Sequence, residues 1–282
     1  MNTTIKFNTS FWKIIGLACF VIATASSCSK SDSPKIEPEE EVTTVPYYTV
    51  QRVKNLAAES DDANPTENRK TVLFNLRTGK EAPLDYSRTS RWDISFGGLY
   101  NSFVGGNNGS NDANVGFGGP GKGGVYIVEK AFDEVVDVPA DHLFKTHSHV
   151  IGTDNAGVFG EGTGWYLYDF AGDILGNGSS EKAHVAYTLS APVTTKQGKL
   201  VPARTLIIRL PNGDYAKIKI LSVYKDLLNP DQWFRTSPKM FFTFDYTLVP
   251  AGSSKFTKLD ESIHLTVKQS THSDQCMRSL HV

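Results

Sequence analysis

The segment TLIIRLPNGDYAKIKILSVY, Thr205–Tyr224, contains two runs rich in β-branched residues on either side of the pair Asn212-Gly213. An Asn-Gly pair supplies the positive φ angles that a tight hairpin turn requires. In the second run every other residue is apolar, at Ala216, Ile218 and Ile220. This alternation is typical of a strand with one buried face and one mostly solvated face. The segment therefore predicts an antiparallel β-hairpin.

Most of the remaining chain shows the same kind of pattern. Short aromatic or β-branched runs bounded by Gly, Pro, Asn or Asp include KTVLFNLRTG, GGVYIVEKAF, GWYLYDF, HVAYTLSAPV and MFFTFDYTLV. Such runs predict strands, whereas helical patterns are scarce. The fold class that follows is all-β, as a single antiparallel domain resembling a β-sandwich.

The N-terminus predicts export. Residues 14–25 form an uninterrupted run of apolar and small residues after a segment with two lysines, and this run is too short to span a bilayer. Small residues then lead up to Cys28, so cleavage at residue 27 would leave a cysteine available for lipid attachment. We expect a lipoprotein signal peptide over residues 1–27 with lipidation at Cys28. A simple secreted protein with an incidental Cys28 is the alternative.

The chain after the signal divides by composition. Residues 28–46 are rich in Ser, Pro and Glu, which predicts a disordered tether. Residues 47–256 fit one β-rich domain better than two small ones, because no second linker of this composition interrupts them, and residues 257–282 form a C-terminal segment whose structure the sequence does not indicate. The net charge of −1, with scattered lysines and arginines, argues against a nucleic-acid partner. Cys276 is left alone, so the domain is expected to be disulfide-free.

Enzyme motifs are missing from the sequence. It contains no nucleophile elbow, Walker loop, HExxH helix or CxxC pair. The run GFGGPG at Gly116–Gly121 formally matches a dinucleotide fingerprint, but a strand-like run follows it where the fingerprint needs a helix. We therefore predict a protein that is not an enzyme, and interpret Gly105–Gly124 as a long, solvent-exposed loop.

Several motifs occur together in a fixed order. They are KTVLFNLRTGKE at Lys70–Glu81, SRWDISFGGLYNS at Ser90–Ser102, GKGGV, VPADHLF, GTGWYLYD and LPNGDYAKIKILSVY. In this order, over roughly Lys70 to Val249, the chain resembles the HmuY-like lipoproteins of Bacteroidetes, a family that includes haem-binding proteins exposed on the outer membrane.

The resemblance implies an HmuY-type all-β fold and a lipid-anchored outer-membrane protein, exposed at the cell surface, that binds haem for iron acquisition. It makes a TonB-dependent outer-membrane receptor a candidate partner, and haem a cofactor that the fold does not require. The alternative is a non-haem binding or adhesion lipoprotein of the same fold. The best-known member holds iron with two histidines, and the second position falls at about Phe170 here, so that ligand is not carried over.

The segment HLFKTHSHVIGTD offers candidates for the first position. His147 and His149 are two residues apart, which on a strand places both on one face, and imidazole is a standard axial ligand of haem iron. Their polar neighbours equally suit a solvated strand without any ligand. His184 can replace the missing second ligand if the loop of residues 172–182 folds back, and the alternative is a histidine at the end of a strand that faces water. The candidate haem-iron ligands are therefore His147, His149 and His184.

Other side chains complete the predicted site. Met240 is a softer candidate ligand, although its strand looks like core. Trp92 and Trp165 are predicted to be buried structural residues. Asp93 and Asp169 suggest either a carboxylate pair or turn-capping residues, of which turn capping is the commoner role. We expect Phe144, Val150, Phe159 and Tyr166 to supply the apolar walls around a haem.

Overall fold

The computed structural model describes residues 44–60, 70–149, 151–160 and 162–258. The predicted signal peptide, Cys28, most of the tether, Val150 and nearly all of the C-terminal segment lie outside these ranges. The strands are β1 (Val50–Ala57), β2 (Val72–Asn75), β3 (Lys80–Ala82), β4 (Ile94–Gly97), β5 (Phe103–Gly106), β6 (Gly124–Val128), β7 (Tyr166–Asp169), β8 (Val185–Thr188), β9 (Val193–Thr194), β10 (Leu200–Val201), β11 (Thr205–Arg209), β12 (Tyr215–Tyr224) and β13 (Lys239–Val249).

Antiparallel sheets account for these strands. The larger sheet has the order β1-β13-β12-β11-β6 and the second sheet the order β3-β2-β4-β5, while β7-β8 and β9-β10 form separate two-stranded ribbons. The helices within the described residues are short 3₁₀ turns at Leu84–Tyr86, Leu99–Asn101, Phe132–Glu134, Asp141–Leu143 and Pro230–Gln232. Across the described ranges, no helix has the length and apolar character needed to cross a bilayer. The prediction of an all-β class is confirmed.

The two larger sheets face each other across one aromatic core. Phe96 of β4 lies 4.2 Å from Phe242 of β13 between ring centroids, and Phe74 of β2 meets Phe244 edge-on at 5.7 Å. All four rings are buried. Full burial of a phenylalanine side chain contributes about 1.5–3 kcal/mol, so such contacts are a main reason why the sheets stay together. This is the predicted sandwich.

The hairpin predicted from the opening segment is present. β11 pairs with β12 from Arg209–Tyr215 to Leu206–Ile218, and Gly213 adopts the positive φ, 90°, in a turn closed by a bond from the Leu210 amide to the Asp214 carbonyl. The second face of β12 differs from the expectation of a mostly solvated surface. Lys217 is buried there because its ammonium donates to the carbonyls of Phe132 and Val135, at 2.8 and 3.0 Å.

The glycine-rich segment is only in part the solvent-exposed loop that composition suggested, since Ser110, Asp112 and Phe117 are exposed whereas other residues of the segment are buried. Its ends form β5 and the start of β6, and three asparagines in it are buried and bonded to backbone carbonyls. Asn107 donates to the carbonyls of Thr89 and Trp92, both at 2.8 Å. A Cβ at Gly106 would lie 2.7 Å from the Gly124 backbone, so glycine permits the close approach of two chain segments. The prediction of an exposed loop was wrong for these residues.

Both predicted structural tryptophans are buried. Trp92 packs with Leu73 and Ala82, and its indole N–H donates to the Ser87 carbonyl at 2.8 Å. Trp165 donates in the same way to the Ser102 carbonyl at 2.9 Å and contacts the Phe242 ring. Trp165 thereby joins the start of the β7-β8 ribbon to the sandwich core.

Candidate functional site

An aromatic cavity lies between the β7-β8 ribbon and the adjoining ends of β12 and β13. Its volume is about 130 Å³. The aromatic part of the lining consists of Tyr100, Trp165, Tyr166, Tyr168 and Tyr224. A cavity of this kind, mainly apolar with a few polar groups aimed inwards, is the usual form of a small-molecule site.

Strand periodicity explains why β7 faces the cavity with tyrosines. Tyr166 and Tyr168 are two residues apart and therefore project from the same side of the strand. Leu167 between them points away and packs with Leu189 and Val201 in a separate apolar cluster. The sequence GWYLYD thus supplies a ring-bearing face and an anchoring face on one short strand.

The floor of the cavity is polar at one point. The Tyr166 hydroxyl lies 3.0 Å from Ser102 Oγ, within hydrogen-bonding distance. Burial raises the pKa of Tyr166 to about 12, against the opposing effect of the Ser102 bond. Tyr166 therefore stays a neutral hydroxyl at physiological pH, able to donate and accept hydrogen bonds.

His184 is the histidine that lines the cavity. The loop after β7 folds back, so that the His184 amide donates to the Phe170 carbonyl at 3.1 Å and the two rings lie 4.5 Å apart between centroids. The His184 imidazole is therefore adjacent to the position where the resemblance places a ligand. Its Nδ1 is 2.8 Å from the Tyr168 hydroxyl.

Two residues of the cavity wall have left-handed backbone. His184 has a φ of 59° and Tyr100 a φ of 53°. Non-glycine residues in this region cost free energy and persist only where surrounding contacts hold them, often at binding sites. For His184 these contacts are the Phe170 carbonyl and the Tyr168 hydroxyl.

A buried carboxylate shapes the loop that carries His184. Asp169 at the end of β7 accepts the backbone N–H groups of Asp173, Ile174, Leu175 and Gly176 at 2.8–3.1 Å. This arrangement is the turn-capping role expected of an aspartate after a strand. A Cβ at Gly176 would lie 2.8 Å from the Cβ of Lys182, so the capped turn packs directly against the residues that precede His184.

Lys182 ties this loop to the segment 230–235. Its ammonium donates to the carbonyls of Asp231 and Trp233, both at 2.8 Å, and lies 4.0 Å from the centre of the Phe234 ring. The Arg235 amide donates to the Glu181 carbonyl at 2.8 Å. The two segments that flank the cavity are thus joined by a lysine and a backbone bond.

The rest of the cavity wall contains Arg235 and Lys239, which the sequence did not indicate, and Met240, whose strand it placed in the core. Met240 lines the cavity with Arg235 and Lys239, and Lys239 Nζ donates to the Arg235 carbonyl at 3.2 Å. Met240 is also buried in the core, as its strand predicted. No local pattern marks Arg235 or Lys239 as site residues, because only the approach of β7-β8 gives them that role.

Two exposed phenylalanines extend the aromatic surface beyond Tyr168. Phe159 is 71% exposed and Phe170 45% exposed, and their rings meet edge-on at 5.8 Å. Phe159 also lies 6.4 Å from the Tyr168 ring and has a left-handed φ of 63°. Of the predicted walls, Tyr166 lines the cavity and Phe159 lies beside it. Phe144 does not take part, because it packs with Tyr126 and Tyr215 in another cluster.

His147 and His149 have a different setting from the predicted strand. They flank the buried Ser148 in a bend, and in the described structure neither is among the cavity-lining residues. His149 is exposed as a residue, but its ring packs near Phe103 and over Gly97, where a Cβ would lie 2.5 Å from Nε2. This partial burial lowers the pKa of His149 and favours its neutral form.

Metal-binding clusters are not evident. Within the described ranges, no three His, Cys, Asp or Glu side chains are arranged to hold a metal ion. The described side chains that line the cavity offer aromatic surface, tyrosine and serine hydroxyls, one imidazole, one thioether and two cations.

Comparisons with known proteins give matches among solved structures alone, since no protein-family model and no curated protein matches the sequence. A candidate HmuY-like haem-binding protein from Bacteroides vulgatus is 14% identical, with a TM-score of 0.29 over 70% of this chain and 91% of that one. A candidate lipoprotein from Bacteroides fragilis is 16% identical, with a TM-score of 0.26 over 72% and 94%.

The apo form of an HmuY analogue from Tannerella forsythia is 14% identical, with a TM-score of 0.29 over 71% of this chain and 97% of that one. Two of these three proteins are thus described by the HmuY name that the sequence motifs also indicated. At these identities and TM-scores, the matches carry no argument about the ligand of this chain.

Proposed function

We propose that this protein is a haem-binding lipoprotein of the cell envelope, with the aromatic cavity beside His184 as its binding site. The observation that carries the proposal is the presence of an imidazole and a thioether, His184 and Met240, in the wall of one aromatic cavity. Both groups are axial ligands of haem iron in other proteins. The proposed role is binding and transfer, without catalysis.

The donor set fits haem, which when bound would supply an iron that an imidazole or a thioether can ligate. When His184 Nδ1 is protonated and donates a hydrogen bond to the Tyr168 hydroxyl oxygen, the lone pair of the neutral imidazole is on Nε2. Ligating histidines commonly have their other nitrogen fixed by such a bond. Tyr168 would then orient the imidazole, and the ring faces of Trp165 and Tyr224 would provide apolar surface.

The cavity volume sets a condition on this function. An engineered cavity of about 150 Å³ takes benzene, so 130 Å³ does not enclose a tetrapyrrole. Binding of haem therefore requires the β7-β8 ribbon to move away from the segment 230–235, or requires part of the ligand to rest on Phe159 and Phe170. The exposure of these two rings supports the second arrangement.

Titration of the purified apo-protein with haemin tests the proposal. We expect a sharp Soret band with low-spin visible bands in the wild type, lost or shifted in His184→Ala. His147→Ala and His149→Ala are the matched comparisons, because they remove imidazoles that do not line the cavity. Loss of the bands in either of these variants, with the spectrum of His184→Ala unchanged, would indicate that the haem site lies at His147 and His149 instead. A wild-type spectrum like that of free haemin would falsify haem binding.

The small volume favours a second candidate function, in which the same fold binds a ligand other than haem or adheres to a surface. The exposed pair Phe159 and Phe170 would then form the contact area. We also propose anchoring to the outer membrane through a lipid at Cys28, surface exposure, and delivery to a TonB-dependent receptor. These proposals rest on the N-terminal sequence and the motif resemblance.

A further inference from the structure

Strand β6 forms one edge of the larger sheet, and part of that edge is open. On the side away from β11, Val125 exchanges backbone hydrogen bonds with Lys145 at 2.8 and 2.9 Å. Ile127 is two residues further along and therefore turns its N–H and C=O to the same side. Among the described residues, no backbone group bonds to Ile127 on that side. An edge with unpaired backbone groups is a template for one more strand.

A cleft of about 530 Å³ lies along this open part of the edge. Its lining consists of residues 126–130, Lys145, Gly162 and Thr163. Tyr126 and Val128 are only half-buried, although they pack against the apolar cluster that contains Phe256. Lys130 and Lys145 are exposed. The cleft thus combines unpaired backbone, incompletely covered apolar side chains and two lysines.

The last described residues of the chain lead toward this cleft. Phe256 is buried in the cluster that Val128 contacts, and its amide donates to the Val136 carbonyl at 2.7 Å within an antiparallel pairing. Because the two segments run in opposite directions, the chain after Phe256 leads back along residues 129–135 toward the end of β6. The six steps from Phe256 to Ser262 span at most about 20 Å when extended, which is several times the spacing between neighbouring strands. Ser262 is therefore within reach of the open edge.

The sequence beyond the described residues contains a strand-like run, ESIHLTVKQ, at residues 261–269. Its apolar residues alternate with polar ones, as in a strand with one buried face, and are Ile263, Leu265 and Val267. The alternation alone does not say where the run lies, but the open edge offers it a place. Asp260 and Glu261 come just before the run and would enter the cleft beside Lys130, so the charges are complementary there.

We propose that residues 262–268 add to the larger sheet as an antiparallel strand beside β6 and close its open edge. The apolar side chains of the run extend the cluster of Tyr126 and Val128, and its backbone pairs with Ile127. The linker after Phe256 is short, so the run has an effective concentration on the order of millimolar at the edge, which favours it over a separate partner. The pairing does not depend on whether the aromatic cavity binds haem.

Hydrogen exchange of individual amides, followed by NMR, tests the pairing in the purified full chain and in a variant that ends at Lys258. The Ile127 amide should exchange about tenfold faster in the shortened variant, which is the effect of losing one backbone hydrogen bond. The Val125 amide should keep its exchange rate, because it is bonded to Lys145 in both proteins. An unchanged rate at Val125 therefore shows that the sheet of the shortened variant is still folded.

Leu265→Asp and Thr266→Asp are the matched pair of variants, since they place the same charge on the apolar and on the polar side of the run. Leu265→Asp should release the Ile127 amide as the truncation does, whereas Thr266→Asp should leave it protected. An Ile127 amide that exchanges at the same rate with and without residues 259–282 overturns the proposal. Protection of this amide that grows with protein concentration also overturns it, because the edge would then pair with a second copy of the chain.

Discussion

Asp93 and Asp169 each follow an aromatic residue, and both carboxylates end up buried against backbone amides. Asp169 accepts four N–H groups of the loop after β7, and Asp93 accepts the Leu76 amide at 2.7 Å. The sequence allowed an acid-base pair or turn capping at these positions. Hydrogen bonds from backbone amides assign both to the second role, and they satisfy the oxygens of a carboxyl group that is buried away from solvent.

Asp93 should make the stability of the protein depend on pH. Burial raises the pKa of Asp93 to about 7, against the lowering effects of the Leu76 and Arg77 amides and the Arg77 charge, while Asp214 also raises it. In the unfolded chain its pKa is about 4. Between these values the folded state retains a proton that the unfolded state has lost. The contribution of Asp93 to the free energy of unfolding is therefore full below about pH 4 and is lost as pH rises through about 7.

The substitution Asp93→Asn tests this by removing the ionisation while retaining an oxygen that can accept the Leu76 amide. Three pKa units correspond to about 4 kcal/mol, so the stability of the wild type relative to the variant should fall by roughly that amount between pH 4 and pH 8. Urea unfolding at several pH values measures the difference. Parallel stability curves for the two proteins would contradict the shifted pKa.

At the scale of secondary-structure elements, the ribbon β7-β8 determines the site, and its place was beyond sequence reasoning. The alternation in GWYLYD predicts a strand and the side that carries Tyr166 and Tyr168. It does not predict that β7 and β8 form a ribbon separate from the two larger sheets, because pairing depends on contacts remote in sequence. The bonds from Lys182 to Asp231 and Trp233 span about fifty residues, and no local pattern encodes them.

The glycine-rich segment shows the same limit in another form. Gly, Asn and Ser indicate chain segments without regular structure, which composition usually places at the surface. Here the asparagine side chains satisfy buried backbone carbonyls, and glycines let β5 and β6 approach closely. Composition therefore identified an irregular segment correctly but could not show that its polar groups have partners inside the protein.

Lys182→Met should loosen the β7-β8 ribbon, because it removes two ammonium hydrogen bonds and keeps a long apolar side chain. The expected loss of stability is about 1–2 kcal/mol. If ligand entry requires the ribbon to move, a larger open population raises the apparent affinity and the association rate in the same proportion. Stopped-flow mixing with haemin measures the rate, and hydrogen exchange over residues 170–184 measures the opening.

A matched change at the β9-β10 turn, Lys199→Met, serves as the control for this prediction and should leave both readouts unchanged. Slower haemin association in Lys182→Met would contradict the idea that the lysine restrains the cavity. It would indicate instead that Lys182 holds the ribbon in the conformation that binds.

At the scale of the whole molecule, the period-two pattern of the strands predicts the sandwich. It does not predict which residues pack over the outer face of β12. Alternation in β12 correctly assigns Ala216, Ile218 and Ile220 to the core. The opposite face carries Lys217, yet Phe132 and Phe256 from loops close over it, with the Lys217 ammonium 4.4 Å from the Phe132 ring centre. A lysine in a strand normally indicates solvent, and here a loop of distant sequence supplies its carbonyl partners.

The N-terminal sequence predicts how the whole molecule is attached to the cell. An apolar run too short to span a bilayer is followed by small residues and Cys28, and then by an acidic segment rich in Ser and Pro. Cleavage before Cys28 would expose its thiol and its new amino group together at the chain end. We expect acylation at this residue to hold the protein at the membrane.

Metabolic labelling with a fatty-acid analogue in a bacterial host tests this expectation. The wild type should incorporate label and sediment with outer membranes. Each CH₂ of a lipid chain that is buried in the bilayer contributes about 0.8 kcal/mol to membrane binding. Cys28→Ala should lose the label and enter the soluble fraction. Cys276→Ala is the matched control, since it removes the other cysteine that follows the predicted cleavage point and should keep both properties. Undiminished labelling of Cys28→Ala would show that the chain is anchored, if at all, through a different residue.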